Sequence, residues 1–249
     1  MTQPVRVDIV SDVVCPWCLI GWRQLARASQ ETGVPVEVHW HPFELNPDMP
    51  PEGENLRDHV ARKYGSTPAQ SSGARARIVE MGAALGFDFA YGPETRMRNT
   101  FLAHQLIDWA ETQGMAHETK QALFESFFTR GEDVSDLETL VAVAGRVGLD
   151  PAAARGALER GERAALVREK QAFWTERGIS GVPAMIFDRR RMVPGAQGEE
   201  TFAAILRRQG GGGGAPPPCF GPRAPGLACR GCCLSASSQG PANAGKSSR

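Results

Sequence analysis

The stretch Val5-Arg6-Val7-Asp8-Ile9-Val10-Ser11-Asp12-Val13-Val14-Cys15-Pro16-Trp17-Cys18 changes its hydrophobic period at its C-terminal end. Val5, Val7 and Ile9 alternate with Arg6 and Asp8, the period of two of a strand, and Ser11, Asp12 and two valines end it. From Cys18 onward the apolar positions Cys18, Trp22 and Leu25 recur at i, i+4 and i+7, while Arg23, Gln24 and Arg27 fall elsewhere on the wheel. That pattern predicts an amphipathic helix, and Gly33 stops it. A strand therefore runs into a helix, with two cysteines one helical turn apart at the junction.

Cys15 stands at or just before the helix N-terminus, where free backbone N–H groups and the positive end of the macrodipole favour an anion. A thiolate there is expected to form below the pH of a free thiol, within the roughly 3.5 to 7.5 range of activated cysteines. Pro16 suits the first turn, having no N–H to leave unpaired. Cys18 shares the stripe of Trp22 and Leu25, so it is expected to be buried and less reactive. Cys15 is the candidate attacking thiol and Cys18 the candidate resolving thiol of a dithiol/disulfide cycle. Half a zinc site is the competing reading. A structural zinc needs four ligands, and no second cysteine or histidine pair at matching spacing lies in the regular part of the chain, so no metal is expected.

The 249 residues carry 28 basic and 28 acidic side chains and no formal net charge, which gives no electrostatic reason to expect nucleic acid or an anionic membrane as partner. Four of the 28 bases and none of the acids lie after Gln209, so the body holds 24 bases against 28 acids. No run approaches the ~18 apolar residues of a membrane span, and a signal peptide's basic start and long apolar stretch are missing. The expected compartment is cytoplasmic, where a CxxC pair is redox-active rather than a permanent staple.

Composition shifts abruptly at Gly210 to a run of Gly, then Pro216 to Pro218, then Ser, Gly, Pro and Cys without periodicity. Residues 210–249 are expected to be a disordered, dispensable tail, because such a segment buries too little apolar area to offset its ordering entropy. It holds Cys219, Cys229, Cys232 and Cys233; a zinc site among them is the lesser reading, since two are adjacent.

Between these ends, Val36, Val38 and Trp40 alternate with Glu37, His39 and His41 as a second strand ending at Pro42. The two histidines read as strand-face residues, since no third metal ligand accompanies them. From Leu56 to Arg177 the pattern is helical throughout, with stripes such as Leu102, Leu106 and Trp109, and Leu123, Phe124, Phe127 and Phe128, read as core. Ser135 with Glu138 forms a candidate capping box, and Asp150-Pro151 reads as N-cap and N1 of another helix. Val182 to Phe187 returns to strand character and leads through Arg189 to Arg191 into Met192-Val193-Pro194 as a hairpin, with the three arginines read as solvated. A last helix follows over 198–208. The order predicts a small α/β domain interrupted by a helical insertion, at about residues 52–177.

This order, with Cys15-Pro16-Trp17-Cys18 near the start and Gly181-Val182-Pro183-Ala184 far downstream, resembles the DsbA family of the thioredoxin superfamily over residues 1–209. Pro42-Phe43-Glu44-Leu45-Asn46-Pro47, Asn99-Thr100, Ala103-His104 and Gly195-Ala196-Gln197 bring the resemblance closer to its FrnE-like group of dithiol-disulfide isomerases. The resemblance implies an α/β thioredoxin-like fold with a large all-helical insertion. It also implies a cis peptide at Pro183, with Val182 and Pro183 as a substrate-docking loop facing Cys15. Periplasmic DsbA has histidine where this chain has Trp17, which implies a higher Cys15 pKa and a less oxidising couple than DsbA.

The leading expectation is a cytosolic thiol-disulfide oxidoreductase or isomerase that works through a mixed disulfide on proteins or small thiols, with no cofactor beyond glutathione as a redox partner. Relatives with the same insertion, the 2-hydroxychromene-2-carboxylate isomerases and kappa-class glutathione transferases, usually have serine where Cys15 stands. They supply the alternative of a glutathione-dependent isomerase or transferase, in which Asn99, His104 and Gln197 line a substrate pocket. A redox-sensing or chaperone-like binding module is the third reading.

Overall fold

Strand β1, Val5–Ser11, lies in the middle of a four-stranded sheet of order β2-β1-β5-β6. The computed structural model describes residues 3–210, so the expectation of a disordered tail, with its four cysteines, lies outside the described residues beyond Gly210. Helix α1 (Pro16–Thr32) follows β1 and ends at Gly33, whose φ of 66° is a left-handed cap that glycine adopts without a Cβ clash. Strand β2 (Val36–Pro42) then pairs parallel with β1, from Val5 opposite Val36 to Ser11 opposite Pro42. The other neighbour of β1 arrives much later. Strand β5 (Ala184–Phe187) pairs antiparallel with it, Val10 opposite Ala184, and turns through Asp188 and Arg189, both at positive φ, into β6 (Arg191–Pro194). Helix α9 (Glu199–Gly210) closes the unit against α1.

Everything between β2 and β5 is helical except one small ladder. Helices α2 (Leu56–Tyr64), α3 (Pro68–Ala84), α4 (Phe101–Glu111), α5 (Ala116–Phe128), α6 (Leu137–Arg146), α7 (Pro151–Glu159) and α8 (Ala164–Thr175) follow in chain order. The ladder pairs β3 (Glu54–Asn55) with β4 (Arg96–Met97), two residues each, which leaves no periodicity to read in advance. Helix starts follow their caps. Thr67 and Gln70 form a reciprocal capping box with Pro68 at the first position of α3, and the Asp150 side chain accepts from Ala152 N ahead of Pro151. The box expected at Ser135 is absent. Asp136 caps α6 by accepting from Thr139 N, while Ser135 donates its hydroxyl to Asp133.

The central strand β1 is buried on both faces. Val5, Val7 and Ile9 join the main core with Leu19, Leu25, Phe202 and Leu206 of α1 and α9. On the other face Val10 packs with Ile179 and Ile186 under Trp174. Asp8, expected on an exposed face, is therefore buried, and it is satisfied by Arg6 at 2.6 Å and His41 at 2.8 Å. Gln24 is likewise buried: its Oε1 accepts the Gly198 amide at 3.0 Å and ties α1 to the start of α9. Helix α8 is fastened by charge. Asp108 of α4, nearly enclosed, receives Arg163 and Lys170, and Glu44 receives Arg168 and Gln171. No helix among the described residues is long and apolar enough to cross a membrane.

Candidate active site

Cys15 is the N-cap residue of α1, with extended backbone (φ −94°, ψ 110°), and Pro16 occupies the first helical turn. Both Cys15 and Cys18 are free thiols. Cys18 is fully enclosed, as its place on the apolar stripe predicts, and Cys15 is only 3% exposed. Trp17, by contrast, is 39% exposed. The Val182–Pro183 peptide is cis, and the Val182 carbonyl oxygen lies 3.8 Å from the Cys15 sulfur, across 167 residues of sequence. Gly195 N donates to the Pro183 carbonyl at 2.7 Å and ties this loop to the end of β6.

The electrostatics of the pair differ from the expectation. The adjacent Cys18 sulfur, and then burial, push the Cys15 thiol well above a free thiol. Burial acts the same way on Cys18, but the hydrogen bond from Cys15 and the charge of Lys120 outweigh it, and Cys18 titrates below a free thiol. The helix N-terminus does act on Cys15, through the Cys18 amide, yet it does not overcome enclosure and a neighbouring sulfur. The two thiols titrate as one unit.

Beneath the pair lies a buried charged layer that sequence periodicity did not mark. Lys120 of α5 is 1% exposed, with its ammonium 5.4 Å from the Trp40 ring centroid and 5.0 Å from that of Phe124. Burial lowers it to about 8, against the opposing pull of Cys18, Asp12 and Cys15. Asp12, just after β1, accepts the Leu45 amide at 2.7 Å. Burial raises its carboxyl, but His104 and Leu45 more than offset this and hold it low.

His104 stands 3.4 Å from Asp12 Oδ1 and donates from Nε2 to the Phe43 carbonyl at 2.9 Å. It thus supports the loop after β2 from below rather than facing substrate. Asn99 caps α4 by accepting from Phe101 N, and its amide donates to the Pro47 carbonyl. Gln197 donates to the Pro194 carbonyl in a surface turn. None of these three, expected as pocket residues, is in the lining of the cavity above Cys15; their side-chain contacts are to loop and helix backbone.

That cavity, of about 360 Å³, opens between the Cys15 end of α1 and helices α2, α3 and α5. Cys15, Pro16, Trp17 and Val182 form one wall, and Leu56, Ile78, Phe127 and Phe128 form much of the rest. Its polar side chains include His59, Tyr64, Gln70, Ser71, Arg75 and Tyr91. Burial, then the Cys15 charge, push the Tyr91 hydroxyl above an ordinary phenol. Among the described residues no cluster of three or more histidine, cysteine or acidic side chains could hold a metal ion.

A thioredoxin-type sheet, a helical block set between β2 and β5, and a CxxC pair at the head of α1 beside a cis-proline loop define a DsbA-type protein. Residues 6–207 match the DSBA-like thioredoxin domain, and the chain belongs to that family. It is 30% identical over 200 residues to the uncharacterized protein YwbO of Bacillus subtilis, across 80% of this chain and 94% of that one. Among solved structures it is similar to a probable DsbA oxidoreductase of Streptomyces coelicolor, at 28% identity, 93% and 100% coverage of the two chains and a TM-score of 0.75. It shares its fold with the cytosolic disulfide reductase DsbM of Pseudomonas aeruginosa, solved with GSH, at 17% identity, 82% and 98% coverage and a TM-score of 0.58.

Proposed function

We propose that this protein is a cytosolic thiol-disulfide oxidoreductase in which Cys15 attacks and Cys18 resolves. The observation that carries the reading is the position of Cys15: a free thiol in a cavity wall, one helical turn from a second free thiol and beside the Val182 carbonyl. Cys15 passes its proton to Cys18, and the resulting thiolate attacks a substrate disulfide and expels one substrate sulfur as a thiolate. Cys18 then attacks the Cys15 sulfur of the mixed disulfide and releases the second substrate sulfur. The substrate gains two electrons, the singly ionised dithiol becomes a disulfide, and its one remaining proton, handed from Cys15 to Cys18, ends on one released sulfur while the other leaves as a thiolate.

The Val182 carbonyl and Pro183 form the docking edge of this site, and Pro16 and Trp17 shape its rim. No tightly bound cofactor is required; a low-molecular-weight thiol such as glutathione returns the disulfide to the dithiol. Enclosure of both sulfurs without an adjacent histidine supports a reductase or isomerase direction rather than a strong oxidant. The reduction potential of the pair, set against the cytosolic glutathione poise, measures that direction.

Disulfide reduction by Cys15→Ser and Cys18→Ser variants tests the assignment. Cys15→Ser abolishes turnover, while Cys18→Ser accumulates a covalent mixed disulfide visible by mass spectrometry. Unchanged turnover in Cys15→Ser overturns the reading.

A further inference from the structure

The cavity over Cys15 carries more information than the dithiol alone. Cys15 is 3% exposed, so its sulfur is reached through the cavity and not from an open face. A volume of about 360 Å³ lies at the small end of the range for small-molecule sites, roughly 300 to 1,000 Å³. The walls near the sulfur are apolar and aromatic, with Phe127, Phe128 and Tyr91 opposite Trp17. One arginine lies in its lining and also borders the neighbouring groove that holds Asp58. Arg75 of α3 is half-buried, its Nη1 donates to the Ser71 hydroxyl at 2.8 Å, and it makes no ion pair among the described residues. Arg62 and Arg98 nearby are matched with Glu54 and Asp133, whereas Arg57 and Arg77, like Arg75, make no ion pair among the described residues but do not line this cavity. A guanidinium left without a counter-charge in an apolar cavity favours a ligand that supplies a planar anion, since a carboxylate accepts its forked donors.

We infer, building on the oxidoreductase reading above, that the cavity selects a small aromatic disulfide bearing a carboxylate, with its sulfur at Cys15 and its acid group at Arg75. The ring fills the apolar walls, and the Arg75 fork sets its orientation, so one of the two substrate sulfurs is presented to the nucleophile. The chemistry is the two-step exchange already balanced: the aromatic disulfide takes two electrons and leaves as two arylthiols, and Cys15 and Cys18 become a disulfide.

The test compares 4,4′-dithiodibenzoate with its neutral diamide, which differs in charge and hardly in shape. Reduction by the dithiol form of the full chain is followed by arylthiolate absorbance, each rate normalised to that with free dithiothreitol. The expected result is a kcat/KM for the diacid about tenfold above that for the diamide, the equivalent of one charge-assisted contact of roughly 1.4 kcal/mol. Arg75→Gln removes that preference and leaves the diamide within about twofold, and Arg75→Lys restores part of it. An unchanged thermal midpoint and far-UV circular dichroism show that the variant is folded. Equal rates for diacid and diamide in the native chain, equal slowing of both by Arg75→Gln, or a higher kcat/KM for insulin than for the diacid overturns the inference while leaving disulfide exchange intact. If neither compound reacts faster than with free thiol, and Cys15→Ser behaves as the native chain does, the underlying oxidoreductase reading fails instead.

Discussion

The ammonium of Lys120 stands 3.5 Å from the Ser11 carbonyl, at the C-terminal end of β1 and beneath the two cysteines. A fully enclosed lysine lowered to about 8 is a linkage between proton binding and folding. Between about pH 8 and the unfolded value near 10.4, the unfolded chain holds a proton there that the native chain has lost, so native stability rises with pH over that window. Below it the cost of enclosing the cation is fully present. Stability of the native chain relative to Lys120→Met is therefore expected to improve by roughly 3 kcal/mol as pH rises from 8 to 10.5. Urea titrations of both proteins across that range check it, and parallel curves would refute it.

The same lysine sets the charge on the dithiol. Its positive charge helps to hold Cys18 below a free thiol, so Lys120→Met is expected to move the first thiol ionisation up. Thiolate absorbance at 240 nm against pH reads this directly, with Cys18→Ser identifying which sulfur contributes.

Trp17 places no cation beside Cys15. Trp17→His introduces an imidazole on the first turn, and as an imidazolium it favours the Cys15 thiolate, hence the reduced pair. The reduction potential is expected to rise by roughly 30 mV for each 1.4 kcal/mol of that stabilisation. The rise is expected to be larger at pH 6 than at pH 8, because the ring is neutral above its ordinary value of about 6.5. Equilibration with glutathione buffers at the two pH values measures it.

Gly82 and Gly73 lie on one helix and predict opposite outcomes. A Cβ on Gly82 would come within 2.4 Å of the Phe89 ring and 2.9 Å of the Phe87 carbonyl, whereas a Cβ on Gly73 meets nothing within 4 Å. Gly82→Ala is expected to cost about 1 to 3 kcal/mol by displacing the Phe89 and Tyr91 stack. Gly73→Ala is expected to add about 0.5 to 1 kcal/mol by lowering the entropy of the unfolded chain. Denaturant midpoints of the two variants decide both.

Asp108 is the point where α8 is held to α4. Asp108→Ala leaves Arg163 and Lys170 facing a site without its carboxylate, with an expected loss of roughly 3 kcal/mol. Loss of packing under Trp174 should accompany it, and tryptophan fluorescence during thermal unfolding reports on that.

The elements with strong local signals were legible in the chain: the strand through Val5, Val7 and Ile9, the stripe of Cys18 and Leu25, the stop at Gly33 and the start at Asp150-Pro151. Residues whose role depends on what is packed over them were not. Asp8 reads as solvent-facing until α8 covers that face, and Gln24 reads as polar surface until Gly198 docks on it. Lys120 sits among Leu123 and Phe124, where a helical period marks a buried face but cannot foresee a cation enclosed within it. Arg75 lies on α3, whose small residues and scattered arginines give almost no amphipathic signal, so nothing in its spacing placed it in the lining of the cavity. Cys15 and Cys18 were legible as two thiols one turn apart at the head of α1. Their electrostatics were not, because enclosure of both sulfurs is a tertiary property.

The sheet order β2-β1-β5-β6 has a consequence for synthesis. β1 acquires β2 as its first neighbour almost at once, but the strand carrying Val182 to its other edge follows only after the whole helical block. With 167 residues between Cys15 and Val182, and elongation at roughly 5 to 20 residues per second, about ten to thirty seconds pass before the docking edge exists. During that interval the nascent chain carries both thiols on an unfinished sheet, open to adventitious oxidation, and the redox state of its surroundings decides in which form each new molecule is completed.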